Sequence, residues 1–295
     1  MRAFELFTAK DSQHAVALLA EHAASVKVLA GGTDLMADYK FAPSNHIPKV
    51  IVDVSRLDEL RHITMTDAGL SIGSLVTHTQ IMQSPIIREM FPALCEAAHT
   101  IGAVQTRNLG TLGGNLVTAV PSVDSGPTLV ALDAIVTILS PAGSRTMELA
   151  DFFVGPRKTA LKPEELLVDI IIPTTSLSKP TKFLKFGLRK GQALALVNVG
   201  ASLWVDWDKN TFKDARVALG AVAPKVIHAT SAEKFLEGRA ITSEAMVEAG
   251  RLAAGDAKPI NDMRASAEYR RDLVAVLTKR ALEGAYERAK AARGN

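Results

Sequence analysis

The spacing of apolar residues along the chain predicts alternating helices and strands in its first half. Residues 11–24 carry apolar side chains at helical spacing after Asp11 or Ser12 as a cap. Short apolar runs predict strands over 26–30 and 50–54, the second after the turn residues Pro43, Ser44 and Asn45. A hairpin is predicted for 62–66 and 70–74. Further helices are expected over 77–83, 86–99 and 127–131, and further strands over 135–139 and 166–172.

The second half of the chain predicts a separate α+β unit. Residues 174–182 are rich in Ser, Thr, Lys and Pro, which is typical of a linker. Strands are predicted beyond it over 183–188, 196–206 and 215–222, and helices over 231–237, 242–255 and 267–292. Three strands followed by helices indicate a sheet that is covered on one face.

Periodicity is lost over residues 101–124, and this stretch is rich in glycine. Gly102, Gly110, Gly113 and Gly114 lie within it, and a long structureless connection is uncommon unless a ligand organises it. Closely spaced glycines allow backbone N–H groups to face an anionic ligand such as a pyrophosphate, although each glycine alone could serve a tight turn. A second glycine turn, at residues 31–33, follows a predicted strand. Two such turns favour a dinucleotide held from both sides, although neither G-x-G-x-x-G nor a P-loop motif occurs.

Composition and charge exclude several classes of protein. With 295 residues, 47% hydrophobic and 22% charged, the chain is typical of a globular protein. Its 34 basic and 31 acidic side chains form no basic tract, so no nucleic-acid partner is expected. The longest apolar stretch, 129–139, is interrupted by Asp133 and is too short for a membrane span. No secretory signal is recognised at the N-terminus, so a cytoplasmic location is expected.

The chain contains a single cysteine, Cys95. One thiol cannot form a disulfide framework, a four-thiolate zinc site or an iron–sulfur cluster within these residues. Cys95 lies in an apolar helical pattern, which favours a packed side chain over a nucleophile. The seven histidines show no metal-ligand spacing, and we therefore predict no metal site.

Three segments of the chain match motifs of one known family. The first is LAGGTD at residues 29–34, which matches the pattern A-G-G-T-[DS]. The second is QTRNLGTLGGN at residues 105–115, continued by Ala119, Pro121 and Asp124, which matches Q-x-R-N-x-G-T-x-G-G-N. The third is SAEYRR at residues 266–271, which matches the start of a closing helix. With these motifs the chain resembles, over nearly its whole length, the FAD-binding subunits of molybdenum hydroxylases, a family that includes xanthine dehydrogenase and carbon monoxide dehydrogenase flavoproteins.

The resemblance implies an α+β fold with two domains. The first is an FAD-binding domain of the PCMH type over residues 1–176, with subdomains of about 1–56 and 57–176. The second, over residues 177–295, has a three-stranded antiparallel sheet with helices. The implied cofactor-binding residues are Leu29, Ala30, Gly31, Gly32, Thr33, Asp34, Leu35, Gly110, Thr111, Gly113, Gly114, Asn115, Thr118, Asp124, Leu167 and Lys185.

Two of these residues, Lys185 and Asp34, and the neighbouring Arg107 have alternative interpretations. Lys185 corresponds to a basic position near the isoalloxazine, but it could equally be a solvated charge on a strand. Asp34 could cap a helix or bind the ligand. Arg107, inside the second motif, could neutralise phosphate or pin the long loop through a salt bridge.

The function that the resemblance implies is electron transfer through non-covalently bound FAD. A small [2Fe-2S] subunit would supply electrons, a large molybdopterin subunit would oxidise the substrate, and NAD+ or another acceptor would receive the electrons. The substrate expected for the complex is xanthine or another purine, another N-heterocycle or an aromatic compound, and the expected assembly is a dimer of heterotrimers. No catalytic residue is expected in this chain. The alternatives are a stand-alone FAD-dependent dehydrogenase, which the absence of His and Cys from both turns disfavours, and a cofactor-free interaction subunit.

Overall fold

The N-terminal unit is a three-stranded parallel sheet in a computed structural model that describes residues 3–41 and 49–294. The predicted turn at 43–45 lies outside the described residues. The strands lie in the order β1-β3-β2, and Asp11 caps α1 by accepting a hydrogen bond from the His14 N–H. Its elements are β1 (Glu5–Thr8), α1 (Ser12–Glu21), β2 (Val26–Leu29), α2 (Leu35–Phe41) and β3 (Val50–Asp53). β1 has no periodicity to predict it, because its four residues are mostly exposed.

The middle unit is a five-stranded antiparallel sheet with helices packed on it, in the order β4-β5-β10-β6-β7. Its strands are β4 (Ile63–Thr66), β5 (Gly69–Gly73), β6 (Ile135–Ser140), β7 (Gly143–Glu148), β8 (Phe153–Gly155), β9 (Lys158–Thr159) and β10 (Leu166–Pro173). Its helices are α3 (His78–Gln83), α4 (Pro85–Met90), α5 (Pro92–His99), α6 (Val104–Leu109), α7 (Leu112–Thr118), α8 (Ser125–Ala131) and α9 (Leu149–Phe152). β8 and β9 pair separately.

Two predictions in the middle unit are wrong in detail. The single helix expected over 86–99 is two helices, because Pro92 disfavours a helical backbone at Phe91, where the chain turns between α4 and α5. The stretch 101–124 is not structureless, since it contains α6 and α7 and leads directly into α8. α6 and α7 are too short, and too rich in polar or glycine residues, to show helical periodicity.

The C-terminal unit is a four-stranded antiparallel sheet with three helices. Its elements are β11 (Thr181–Gly187), β12 (Ala195–Asp206), β13 (Thr211–Gly220), β14 (Ile227–His228), α10 (Thr230–Leu236), α11 (Ser243–Asp256) and α12 (Ala267–Arg293). The fourth strand, β14, has only two residues, which is why the sequence predicts three strands. No helix of the described residues combines the length and the apolar character needed to cross a membrane.

The expectation that this sheet is covered on one face is also wrong. Alternate residues of β12, such as Val197 and Val199, join the core with α10, α11 and α12. The opposite face of the sheet packs against α8 and against the residues just before α8. There Asn198 donates to the carbonyl of Val123 (3.3 Å) and Ser202 donates to that of Ala131 (2.5 Å). The middle unit therefore covers the second face of the C-terminal sheet.

The segment 174–182, predicted as a linker, is packed into the protein. Ser176, Lys179 and Thr181 are buried, and the Lys179 ammonium pairs with Asp214 at 2.8 Å. Ser, Thr, Lys and Pro are typical of both linkers and buried polar turns, so composition alone does not separate the two. The middle and C-terminal units are consequently joined by a segment that is packed against the protein.

Charged pairs also cross between the middle and C-terminal units. Glu96 on α5 pairs with Lys182 on β11 (2.6 Å) and with Arg288 on α12 (2.5 Å). Asp133, just before β6, pairs with Arg216 on β13 (3.0 Å). We refer to these pairs, together with the contacts of α8 on β12, as the interunit seam.

Candidate functional site

A cavity of about 410 Å³ lies where the two glycine-rich segments meet, which is within the size range of small-molecule sites. Thirteen of the sixteen predicted cofactor-binding residues line it, namely Ala30, Gly31, Gly32, Thr33, Asp34, Leu35, Gly110, Thr111, Gly113, Gly114, Asn115, Thr118 and Leu167. Leu29, Asp124 and Lys185 do not line this cavity. Residues far apart in the sequence are thus brought together around one cavity.

The first turn, between β2 and α2, offers unpaired backbone donors. In the described part of the chain, the N–H groups of residues 31–35 have no hydrogen-bond partner. The carbonyl of Gly32 accepts from Met36 as α2 begins, so the turn itself is ordered. A run of free N–H groups at the wall of a cavity is the arrangement that binds anionic oxygens.

The second segment does not offer the backbone donors that we expect from its glycines. The N–H of Gly110 donates to the carbonyl of Thr106 (2.6 Å), and that of Gly113 donates to the carbonyl of Ser74 (2.9 Å). The N–H of Gly114 donates to the Thr111 hydroxyl (3.1 Å), which caps α7. These three groups are already satisfied within the protein.

Side chains are what the second segment presents to the cavity. Thr118 donates through its hydroxyl to the carbonyl of Gly114 (2.8 Å). The Asn115 side-chain oxygen accepts from the Ser125 hydroxyl (2.6 Å), so the Asn115 amide NH₂ is the part of this group left to donate. The second segment therefore forms a polar wall, whereas the first turn supplies the backbone donors.

Two glycines are required because the protein packs tightly against itself here. A Cβ on Gly31 would overlap the carbonyl oxygen of Leu109 and lie 3.0 Å from the Cα of Gly110. A Cβ on Gly113 would lie 2.6 Å from the Cβ of Ser74. Contacts this short are not tolerated without backbone movement. Gly31 thereby allows the two segments to close around one cavity.

Asp124 and Lys185 form a buried ion pair beside the cavity. The Lys185 ammonium lies 2.6 Å from the Asp124 carboxylate and donates to the carbonyl of Thr100 (3.1 Å), and Asn198 donates to the other carboxylate oxygen (2.9 Å). Only 6% of the Lys185 side chain is exposed, so its interpretation as a solvated charge is wrong. Burial raises the pKa of Asp124, and Lys185 opposes that shift. Lys185 lines a second cavity, of about 440 Å³.

The structure also bears on the two interpretations of Asp34, as a helix cap or a ligand contact, and on those of Arg107. The Asp34 carboxylate makes no capping hydrogen bond to the described residues; desolvation raises its pKa, and Arg157 partly opposes the rise. Arg107 pins the loop before α6, but it does so by donating to the carbonyls of His99 (3.2 Å) and Ile101 (3.0 Å) rather than through a salt bridge.

Cys95 is half-buried on α5, as its apolar surroundings predict. Its thiol lies 3.5 Å from the carbonyl oxygen of Ile81, and burial raises its pKa. A raised pKa keeps the thiol protonated, which is the opposite of what a nucleophile needs.

The sequence gives no indication of several other residues that line the cavity, among them His78, Ile101, Arg157 and Glu165. Glu165 is held by a two-pronged pair with Arg145 (2.8 and 2.9 Å). His78 is buried, and desolvation together with Arg107 lowers its pKa to about 4. A single histidine at the start of a short helix fits no motif, so only the fold identifies it.

Two family models account for nearly the whole chain. Residues 2–175 match the FAD binding domain in molybdopterin dehydrogenase, and residues 182–285 match the CO dehydrogenase flavoprotein C-terminal domain. The chain belongs to the molybdopterin dehydrogenase flavoprotein family. This assignment confirms the family and the α+β fold class predicted from the sequence.

Individual relatives of this molybdopterin dehydrogenase flavoprotein match it along almost its full length. The carbon monoxide dehydrogenase medium chain of Hydrogenophaga pseudoflava is 31% identical over 97% of this chain and 98% of its own length. A putative xanthine dehydrogenase FAD-binding subunit of Escherichia coli (strain K12) is 32% identical over 92% of each chain. The solved structure of the H. pseudoflava enzyme that lacks the Mo-pyranopterin moiety gives a TM-score of 0.91, covering 97% of this chain and 98% of that chain.

As a molybdopterin dehydrogenase flavoprotein, this chain is an oxidoreductase subunit whose cofactor is FAD. The cavity fits that cofactor chemically. A diphosphate needs several hydrogen-bond donors, which residues 31–35 leave free, and the aromatic rings need apolar contacts, which Leu167 and Ile101 offer.

Proposed function

We propose that this chain holds FAD non-covalently in the cavity between the two glycine-rich segments and acts as the electron-transfer subunit of a heterotrimeric molybdenum hydroxylase. The observation that carries the proposal is the row of N–H groups at residues 31–35, which have no partner among the described residues and belong to residues that line the same cavity as the second motif. The proposed contacts are the sixteen residues named from the sequence. The proposed FAD-binding domain spans residues 1–176, with subdomains of about 1–56 and 57–176, and the second domain spans residues 177–295.

The protein's part in the reaction is binding and orientation. FAD, when bound, can take up two electrons and release them to an acceptor. The N–H groups of residues 31–35 would hold the diphosphate, and Thr111, Asn115 and Thr118 would contact the sugar and ribityl hydroxyls. Leu167 would pack against the ring system, while Asp124 and Lys185 would lie near the flavin, where a cation favours electron uptake. No side chain is required to move a proton from a substrate.

The partners follow from what this chain lacks. With Cys95 as its only cysteine, it cannot ligate an iron–sulfur cluster within its 295 residues. Electrons therefore have to reach FAD from clusters on another polypeptide. We infer a small [2Fe-2S] subunit and a large molybdopterin subunit, assembled as a dimer of heterotrimers in the cytoplasm.

We propose NAD+ as the acceptor and a purine such as xanthine, or another N-heterocycle or aromatic compound, as the substrate of the complex. Relatives named for carbon monoxide and for xanthine are almost equally similar to this chain, at 31% and 32% identity. The substrate is consequently selected in the partner's pocket rather than by residues of this chain.

FAD binding is tested on the purified chain. We expect a yellow protein, or a colourless one that takes up one equivalent of FAD and regains flavin absorbance. Equilibrium dialysis with FAD gives the stoichiometry, and free riboflavin serves as a comparison ligand that lacks the diphosphate. A folded protein that cannot be reconstituted with FAD would contradict the proposal.

The acceptor is tested separately with the FAD-loaded chain. We expect it to oxidise NADH when an artificial dye receives the electrons, and we expect no hydroxylation of purines without the partner subunits. A full complement of FAD without any NADH oxidation overturns NAD+ as the acceptor but leaves the FAD subunit intact. Hydroxylation of a substrate by this chain alone overturns the partner proposal.

A further inference from the structure

His78 lies where the two glycine-rich segments converge. Its backbone N–H donates to the carbonyl of Gly110 (3.1 Å), which ties the start of α3 to the second segment. His78 is one of the residues that line the cavity. The position that a Cβ on Gly110 would occupy is 3.4 Å from the His78 Cδ2 atom and 3.5 Å from the Thr33 hydroxyl oxygen. The imidazole is therefore close to both walls of the cavity.

The surroundings of His78 favour the neutral ring. The residue is 2% exposed, and burial and the nearby Arg107 guanidinium lower its pKa to about 4. A neutral imidazole carries one proton, on either Nδ1 or Nε2. Nδ1 is buried without a hydrogen-bond partner in the described part of the chain, so a proton there would be an unsatisfied buried donor. The proton consequently belongs on Nε2, next to the Cδ2 atom that faces Gly110.

We propose that His78 is a further cofactor-binding residue, whose Nε2–H donates a hydrogen bond to an oxygen of the FAD diphosphate. The inference rests on the proposed function, because it assumes FAD in this cavity. Thr33, Gly110 and the free N–H groups of residues 31–35 surround the same space, which makes the diphosphate the nearest set of acceptor oxygens. A neutral donor orients the diphosphate without adding a charge.

The test compares two replacements of His78. His78→Phe keeps a flat ring but removes the donor, whereas His78→Gln carries an amide NH₂ at about the position of Nε2. A hydrogen bond to a charged group contributes roughly 1.5–3 kcal/mol, so we expect the FAD Kd of His78→Phe to rise by about 10-fold to 100-fold. We expect His78→Gln to stay within a few-fold of the wild type. His99→Phe, at an exposed histidine on α5, is the matched control and should leave the Kd unchanged.

Binding of a second ligand, ADP, distinguishes a contact to the diphosphate from a contact to the isoalloxazine. ADP contains the diphosphate but no isoalloxazine, so His78→Phe should weaken ADP and FAD by the same factor. Loss of FAD affinity with unchanged ADP affinity overturns the diphosphate assignment. Thermal unfolding of the variants is measured without FAD. If His78 bonds only to the ligand, the unfolding midpoints of these FAD-free variants equal that of the wild type.

The remaining outcomes distinguish this inference from the proposed function. If the wild-type chain binds no FAD, the proposed function fails first. If the wild type binds FAD and His78→Phe binds it equally well, the inference about His78 is overturned and the proposed function stands. If His78→Phe and His78→Gln lose affinity equally and both unfold at lower temperature without FAD, His78 has a structural role only.

Discussion

Replacement of Gly31 by alanine is expected to abolish measurable FAD binding, with an increase in Kd of at least about 100-fold. The added Cβ would overlap the carbonyl oxygen of Leu109, which belongs to the backbone and has no rotamer with which to move aside. The two walls of the cavity would have to separate. The row of N–H groups at residues 31–35 would then no longer face the second segment.

Titration of the FAD-free variant with FAD, followed by quenching of flavin fluorescence, measures this effect. Gly255→Ala is the matched control, because a Cβ there meets nothing within 4 Å and the residue is exposed on α11. Alanine at that helical position should be neutral or stabilise the fold by about 0.5–1 kcal/mol. Wild-type affinity in Gly31→Ala would show that the close approach of the two segments is not needed for binding.

Asp214→Asn is expected to lower the free energy of unfolding by about 3 kcal/mol, because it removes the carboxylate that pairs with a buried ammonium group and with Arg216. The Lys179 side chain has no exposed surface, and its ammonium lies 2.8 Å from Asp214. Burial lowers the pKa of Lys179, and the carboxylate opposes that shift. Asparagine keeps the shape of the side chain and tolerates the left-handed backbone at this position, where φ is 47°.

Urea unfolding of the FAD-free protein, followed by circular dichroism, gives the change in stability. Glu283→Gln is the control, because it breaks a partly exposed pair with Lys279 on α12 that should contribute less than about 1 kcal/mol. A loss below about 1 kcal/mol in Asp214→Asn would mean that Lys179 is neutral or hydrated in the folded protein.

The sequence predicts the parts of the fold whose side chains repeat with a clear period. The helix from Ala267 and the strand at residues 196–206 are examples, since each has one face in a hydrophobic core. β7 and the short helices α6 and α7 are not predicted. β7 is an edge strand of mostly exposed polar residues, and α7 contains two glycines, so neither has an apolar period to detect.

The sequence also locates the two segments of the site but not their separate roles. Spacing alone does not reveal that the glycine N–H groups of the second segment are bonded to Thr106, Ser74 and Thr111. Thr106 and Thr111 belong to the same segment and become partners only because residues 104–109 and 112–118 form helices, whereas Ser74 is brought to Gly113 by the tertiary fold. The position of His78 between the two segments likewise follows from the tertiary fold and is not visible in the sequence.

The interunit seam has a consequence for how subunits of this kind can be recombined. A fragment that ends at residue 176 would lose Lys185, the cation beside Asp124, and would uncover α8 where it meets β12. The complementary fragment would leave the Lys182 and Arg288 cations without Glu96. The middle and C-terminal units should therefore be exchanged together between such enzymes, because a cut between residues 175 and 182 separates the partners of these ion pairs.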